Sequence, residues 1–142
     1  PETDSPGATI AKVPRFIELI AGEWMTDQER GEFFTGLLEI DQLAANQYQQ
    51  GFANCSDQQK ITVLEQMEDA SDNHPWYNLG AASGFEISAP FIAIIKELTI
   101  FGFFMSEVGS TQVLRMNHIP GRFEGDIPLG WDDSSWTPVP LM

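Results

Sequence analysis

Ser106, Glu107 and His118 can be drawn as the nucleophile, orienting acid and base of an acyl-transfer triad. Ser106, however, closes an apolar helical run and has no strand-turn-helix elbow around it. A second set is acidic: from Glu124, Asp126, Asp132 and Asp133 an acid and a base for glycoside hydrolysis can be chosen, with Trp131 and Trp136 close by as sugar-stacking rings. With 21 acidic residues in the chain, such a pair is expected by chance. Asp72, Asn73 and His74 carry metal-binding side chains, but Asp69 to Pro75 also has the composition of an exposed, proline-ended turn. No G-x-G-x-x-G follows a strand, and no Walker lysine motif occurs. The single Cys55 has no disulfide partner, and His74 and His118 lie too far apart for zinc spacing. The residues thus point away from catalysis, cofactor binding or metal binding within this chain and towards an accessory or interaction role. A secreted carbohydrate-active enzyme using the acids near the C-terminus is the alternative.

The element that must position any such surface is the stretch Phe91 to Gly109. Phe91, Ile94, Ile95, Leu98, Phe101 and Met105 recur at three-to-four spacing, and Ile92, Ala93, Ile100, Phe103 and Phe104 cover much of the remaining circumference. A surface helix needs only an apolar stripe; this one demands burial on both sides, by its own domain or by that domain and a partner. Phe91, Leu98 and Met105 are expected to serve the chain's own core. Ala89 to Met105 is nearly long enough to span a bilayer, but Lys96 and Glu97 fall at its midpoint. Each costs about 2.5–3.5 kcal/mol at a membrane centre, so no direct span is expected.

The chain has 142 residues, with 21 acidic against 7 basic side chains and a formal charge of −14. Such a charge repels phosphate backbones and anionic lipid, disfavouring nucleic-acid and membrane-surface binding. Pro1 to Gly7 is turn-forming and carries no methionine start, basic n-region or apolar h-region, so any targeting segment is expected upstream of Pro1 or already removed.

Local signals predict an all-α domain over residues 1–118. Ile17, Ile20, Ala21 and Trp24 mark a short first helix, with Pro14 near its first turn and Phe16 and Leu19 as a staple. Thr26-Asp27-Gln28-Glu29 is a capping box for a second helix with the stripe Phe33, Phe34, Leu37, Leu38, Asp41, Ala44, Ala45 and Tyr48, ending near Gly51. Ser56 to Gln59 repeats that chemistry before Ile61, Val63, Leu64, Met67 and Ala70. Ser88 is the expected N-cap of the long helix, with Pro90 in its first turn.

Residues 119–142 form an irregular tail with no helical or strand period, yet Phe123, Ile127, Leu129, Trp131, Trp136, Val139 and Leu141 are too many large apolar groups for a disordered one. Such a segment lies across a preformed surface, either its own domain or a partner.

Two blocks carry a resemblance. Pro1-Glu2-Thr3-Asp4-Ser5-Pro6-Gly7-Ala8, followed by Val13, Phe16 and Ile17, resembles the opening "P-x-T-D-[ST]-P-G-A … G-V-x-x-F-I" of gluconate 2-dehydrogenase subunit 3 proteins. Glu97-Leu98-Thr99, Gly102 to Gly109, Pro120 to Gly125 and Ile127-Pro128-Leu129 are similar to that family's "E-L-T-x-x-G-Y-F-T-S-E-x-G" and "P-G-x-[FWY]-x-G-x-x-P-L". Lys12 stands where the family often has glycine, Phe103 replaces the usual tyrosine, and Asp126 stands where many relatives carry cysteine, so no cysteine chemistry is carried over there.

The resemblance implies a small, mainly helical, noncatalytic subunit of a periplasmic dehydrogenase. It implies a large partner of the glucose-methanol-choline type that holds FAD and oxidises a sugar or sugar acid, with electrons passing to a cytochrome c subunit carrying haem c or to another acceptor. It further implies export with that partner, stabilisation of it, and membrane association only through another subunit. The expected interface combines one side of the long helix, at Phe103, Phe104, Ser106 and Glu107, with the tail residues Pro120, Gly121, Arg122, Phe123, Ile127, Leu129, Trp131 and Trp136. Phe123, Trp131 and Trp136 are the expected anchors, worth about 2 kcal/mol or more each when fully buried.

Overall fold

The structure, a computed structural model, describes residues 5–71, 89–115, 121, 126, 128 and 130–136. Among these residues all regular structure is helical. The expected all-α class is therefore borne out.

Helix α1 spans Val13–Leu19 and is followed by a π-helical turn, Ile20–Trp24. A preceding turn feeds α1: Ala11 N–H donates to Gly7 O at 3.2 Å and Val13 N–H to Ala8 O at 3.0 Å. Lys12 closes this turn with φ 57°. That left-handed conformation suits glycine better than a residue with a Cβ.

The i→i+5 bond from Met25 N–H to Ile20 O, 2.9 Å, widens the chain after α1 and turns Trp24 off the face expected for it. Trp24 is 75% exposed and Leu19 48%, so neither the fourth stripe position nor the Leu19 half of the expected staple is part of the core. Ala21 and Met25 are the buried residues of this turn.

Helix α2, Asp27–Tyr48, begins as predicted, since Thr26 Oγ1 accepts from Glu29 N–H and the Glu29 carboxylate accepts from Thr26 N–H at 2.7 Å. A cap of this kind contributes about 1 kcal/mol. The helix ends at Gln49, which is left-handed at φ 55° and donates to Ala45 O. Gly51, the expected terminus, instead precedes a 3-10 turn, Phe52–Asn54. Asp41 belongs to no apolar stripe: its Oδ1 accepts Phe52 N–H at 2.8 Å and ties down the connection to the next helix.

Helix α3, Asp57–Ala70, carries the second predicted capping box, Ser56 with Gln59. It runs antiparallel to α2. Gln50 Nε2 reaches Gln59 Oε1 at 3.2 Å at one end, and Gln47 pairs with Gln66 further along. Ala44 and Val63 are fully buried in this hairpin, whereas Ile61, expected on the apolar side, is exposed.

Helix α4 spans Phe91–Phe104. The carbonyl of Pro90 accepts from Ile94 N–H at 3.2 Å, which places Pro90 just before the first turn and not within it. The expected N-cap Ser88 and the Asp72-Asn73-His74 run lie outside the described residues.

The chain divides into two compact units, residues 17–98 and residues 1–16 with 99–142. The first contains α2, α3 and the N-terminal half of α4. Its core is Phe33, Ile40, Ala44, Cys55, Val63, Phe91, Ile92, Ala93, Ile94 and Leu98. Phe33 and Phe91 meet with ring centroids 5.3 Å apart, a pairing worth about 0.5–1.5 kcal/mol beyond area burial. Lys96 reaches across to pair with Glu68 of α3. The four consecutive buried residues from Phe91 to Ile94 confirm the demand for all-round burial in this half of the helix.

In the second unit, Phe16 packs on α4, its ring 6.0 Å from that of Phe101 and its Cδ1 so close to Gly102 that a Cβ there would stand 2.6 Å away. Ala11 and Val13 are buried in this unit. Burial does not continue along the helix: Met105, expected in the core, is 46% exposed, and Phe101 and Phe104 also reach solvent.

Candidate interaction surface

The end of α4 is built around one hydroxyl. Ser106 Oγ donates to Phe103 O at 2.6 Å and accepts Gly109 N–H at 3.0 Å, so it caps the short helical segment that continues into the π-helix Gly109–Val113. Gly109 is required there, because a Cβ at this position would come within 2.0 Å of Phe103 O, a backbone atom that cannot rotate away. Ser110 Oγ then donates to Ser106 O at 2.8 Å and Thr111 Oγ1 to Glu107 O at 2.6 Å. Both bonds of Ser106 are those of a capping residue, and the third member of the drawn triad, His118, lies outside the described residues.

Around this turn the side chains named for the interface divide. Phe103 is half-buried, its ring edge-on to Phe104 with centroids 5.2 Å apart, while Phe104 and Glu107 are exposed and Ser106 is half-buried. Gly121 is exposed. Pro120, Arg122, Phe123, Ile127 and Leu129 lie outside the described residues.

The tail is not without structure where it is described. Residues 130–133 form a turn in which Asp133 N–H donates to Gly130 O at 3.2 Å and Gly130 N–H donates to Asp133 Oδ2 at 2.6 Å. The other oxygen, Oδ1, pairs with the Arg115 guanidinium. Arg115 N–H donates to Ser135 O at 2.9 Å, and Arg115 Cζ lies 5.7 Å from the Trp136 ring centroid. Trp136 is half-exposed and Trp131, at the tip of the turn, is fully exposed. Both oxygens of Asp133 thus serve structure, which removes it from the acids available as a hydrolytic pair; Asp126 and Asp132 are exposed.

An apolar face that the sequence pattern assigned to the core emerges on α2. Phe34, Leu37 and Leu38 are 51%, 41% and 61% exposed; the helix buries Phe33 and Ala44 of the expected stripe together with Gly36 and Ile40. Gly36 decides the phase: its missing side chain leaves room for the Phe91 ring, and a Cβ there would stand 2.1 Å from Phe91 Cγ. The signal was the glycine itself, flanked by two competing apolar arcs.

Burial pushes the Glu97 carboxyl above its ordinary value of 4.5 by desolvation. Among the described residues no group of three or more His, Cys, Asp or Glu side chains could hold a metal ion. No helix among them is long and apolar enough to cross a membrane.

The family model described as gluconate 2-dehydrogenase subunit 3 matches residues 1–121. No curated protein and no solved structure matches significantly.

Proposed function

The chain belongs to the gluconate 2-dehydrogenase subunit 3 family, and from that premise we propose that it is the noncatalytic small subunit of an FAD-dependent, glucose-methanol-choline type dehydrogenase acting on a sugar or sugar acid. It binds and stabilises the large catalytic subunit and is exported with it to the periplasm. FAD belongs to that large subunit, and haem c to a cytochrome subunit where one completes the assembly. Membrane association is through another subunit.

The observation that carries this reading is the amount of large apolar side chain left in water. Phe34, Leu37 and Leu38 line one face of α2, Phe101, Phe104 and Met105 crowd the end of α4, and Trp131 and Trp136 stand on the tail. Contiguous exposed apolar surface marks an interaction site in a stable protein and an aggregation liability in an isolated one. The interface named from the sequence, at the end of α4 and along the tail, offers one docking surface, and the α2 face, taken by itself, offers another. The −14 charge favours a partner whose rim is basic.

Affinity purification of the tagged chain from its native host tests this directly. A co-purifying large subunit with the absorption spectrum of bound flavin is expected, together with poor solubility of the chain expressed alone. Recovery of a monodisperse, flavin-free monomer with no partner would overturn it.

A further inference from the structure

We propose that Arg115 and Asp133 are positioning residues that hold Trp131 as a pre-organised anchor for an apolar pocket on the catalytic subunit, an inference that rests on the subunit reading above. Trp131 is fully exposed, so its indole meets no surface among the described residues. Tryptophan is the residue type most enriched among interface hot spots. An exposed ring on a limp segment would lose much of its binding energy to ordering, but this one sits on a fastened turn.

The fastening runs through a single carboxylate. Asp133 Oδ2 accepts Gly130 N–H at 2.6 Å and Asp133 N–H returns to Gly130 O at 3.2 Å, so the backbone on both sides of Trp131 is closed into a turn. Asp133 Oδ1 pairs with Arg115, which stands on the segment that follows the π-helix. Arg115 N–H to Ser135 O at 2.9 Å, and the guanidinium 5.7 Å from the Trp136 ring, fix the strand of chain just beyond the turn. Arg115 therefore sets where the turn lies, and Asp133 sets the shape in which it presents the indole. At Gly130 a Cβ would stand 3.2 Å from Asp133 Oδ2, a tight approach that a small shift of the carboxylate accommodates.

The occupant follows from charge. A second copy of the chain would bring −14 against −14, with the exposed Asp132 beside each indole. A foreign pocket that is apolar at its base and neutral or basic at its rim takes the same turn without that repulsion.

A double-mutant cycle on the purified complex tests the assignment, reading the dissociation constant between this chain and its flavoprotein partner. Trp131→Ala is expected to weaken binding about thirtyfold or more, and Arg115→Met about tenfold by releasing the turn. In the Arg115→Met background, Trp131→Ala is expected to cost less than about threefold, because the anchor is no longer positioned. Fully additive effects overturn the positioning role, and an unchanged constant for Trp131→Ala overturns the anchor. If Arg115→Met does not fold by circular dichroism, Asp133→Asn removes the same tie and takes its place in the cycle. Loss of a homodimer on size-exclusion chromatography of Trp131→Ala, with the heteromeric constant unchanged, would assign the indole to a second copy and overturn the proposal. A parent chain that captures no flavoprotein overturns this inference together with the subunit reading; a parent that binds as tightly as Trp131→Ala overturns this inference alone.

Discussion

Gly36 of α2 lies against the ring of Phe91 at the start of α4, so closely that a Cβ on Gly36 would fall 2.1 Å from Phe91 Cγ and 2.3 Å from its Cβ. The contact includes the root of the phenylalanine side chain, which no rotamer change can move. Gly36→Ala is therefore expected to lower stability by about 1–3 kcal/mol, the usual cost of overpacking. Gly31, on the same helix, has nothing within 4 Å of a built Cβ. Gly31→Ala is expected to raise stability by about 0.5–1 kcal/mol through helix propensity alone. Urea melts of the two variants should shift in opposite directions, and a shared sign would contradict the close approach.

Lys12 occupies φ 57°, a region that costs a side-chain-bearing residue about 1–2 kcal/mol. Lys12→Gly relieves this while giving the unfolded chain more freedom, and a net gain of about 0.5–1 kcal/mol is expected. Lys12→Ala, which keeps the Cβ, should gain nothing. Equal melting temperatures for Lys12→Gly and Lys12→Ala would rule out the strained turn.

Ser106 caps the segment after α4, so Ser106→Ala is expected to cost about 1 kcal/mol. Ser106→Asp keeps an acceptor for Gly109 N–H and should recover most of that loss. A catalytic serine would behave otherwise: turnover of the assembled complex would collapse in both variants. Thermal denaturation read beside dehydrogenase activity separates the two roles.

The Glu97 carboxyl is raised above 4.5 because burial disfavours its charged form. The folded chain therefore binds this proton more tightly than the unfolded chain does. Folding is penalised progressively as pH rises from the ordinary carboxylate range through the folded value, and the penalty is complete above it. Glu97→Gln should be more stable than the parent at pH 7, with the difference shrinking to nothing as pH falls below 4.5. A stability difference independent of pH would show that the effect is not one of ionisation.

The features readable from the chain alone were those closed within a few residues. Both capping boxes, Thr26 with Glu29 and Ser56 with Gln59, form as their spacing predicted, because a cap needs only the first turn of its own helix. The all-α class followed from the same short-range periodicity, and the family from ordered motifs. What failed was the choice between competing faces. Trp24 left its stripe because a π-turn altered the phase, and Phe34, Leu37 and Leu38 lost the core to Gly36 and Ile40, while Phe33 and Ala44 kept their expected places in it.

Periodicity thus determined that α2 and α4 are helices with more apolar surface than one small domain requires. It could not determine which surface is buried. That choice depends on what arrives from elsewhere in the chain: the Phe91 ring settles into the space left by Gly36, and Arg115 draws in Asp133 from a tail with no period of its own. Hydrogen bonds within one helical turn are specified by neighbours in sequence, whereas packing and ion pairing are specified by neighbours in space. Only the tertiary structure could decide that Trp131 stands fastened and fully in water.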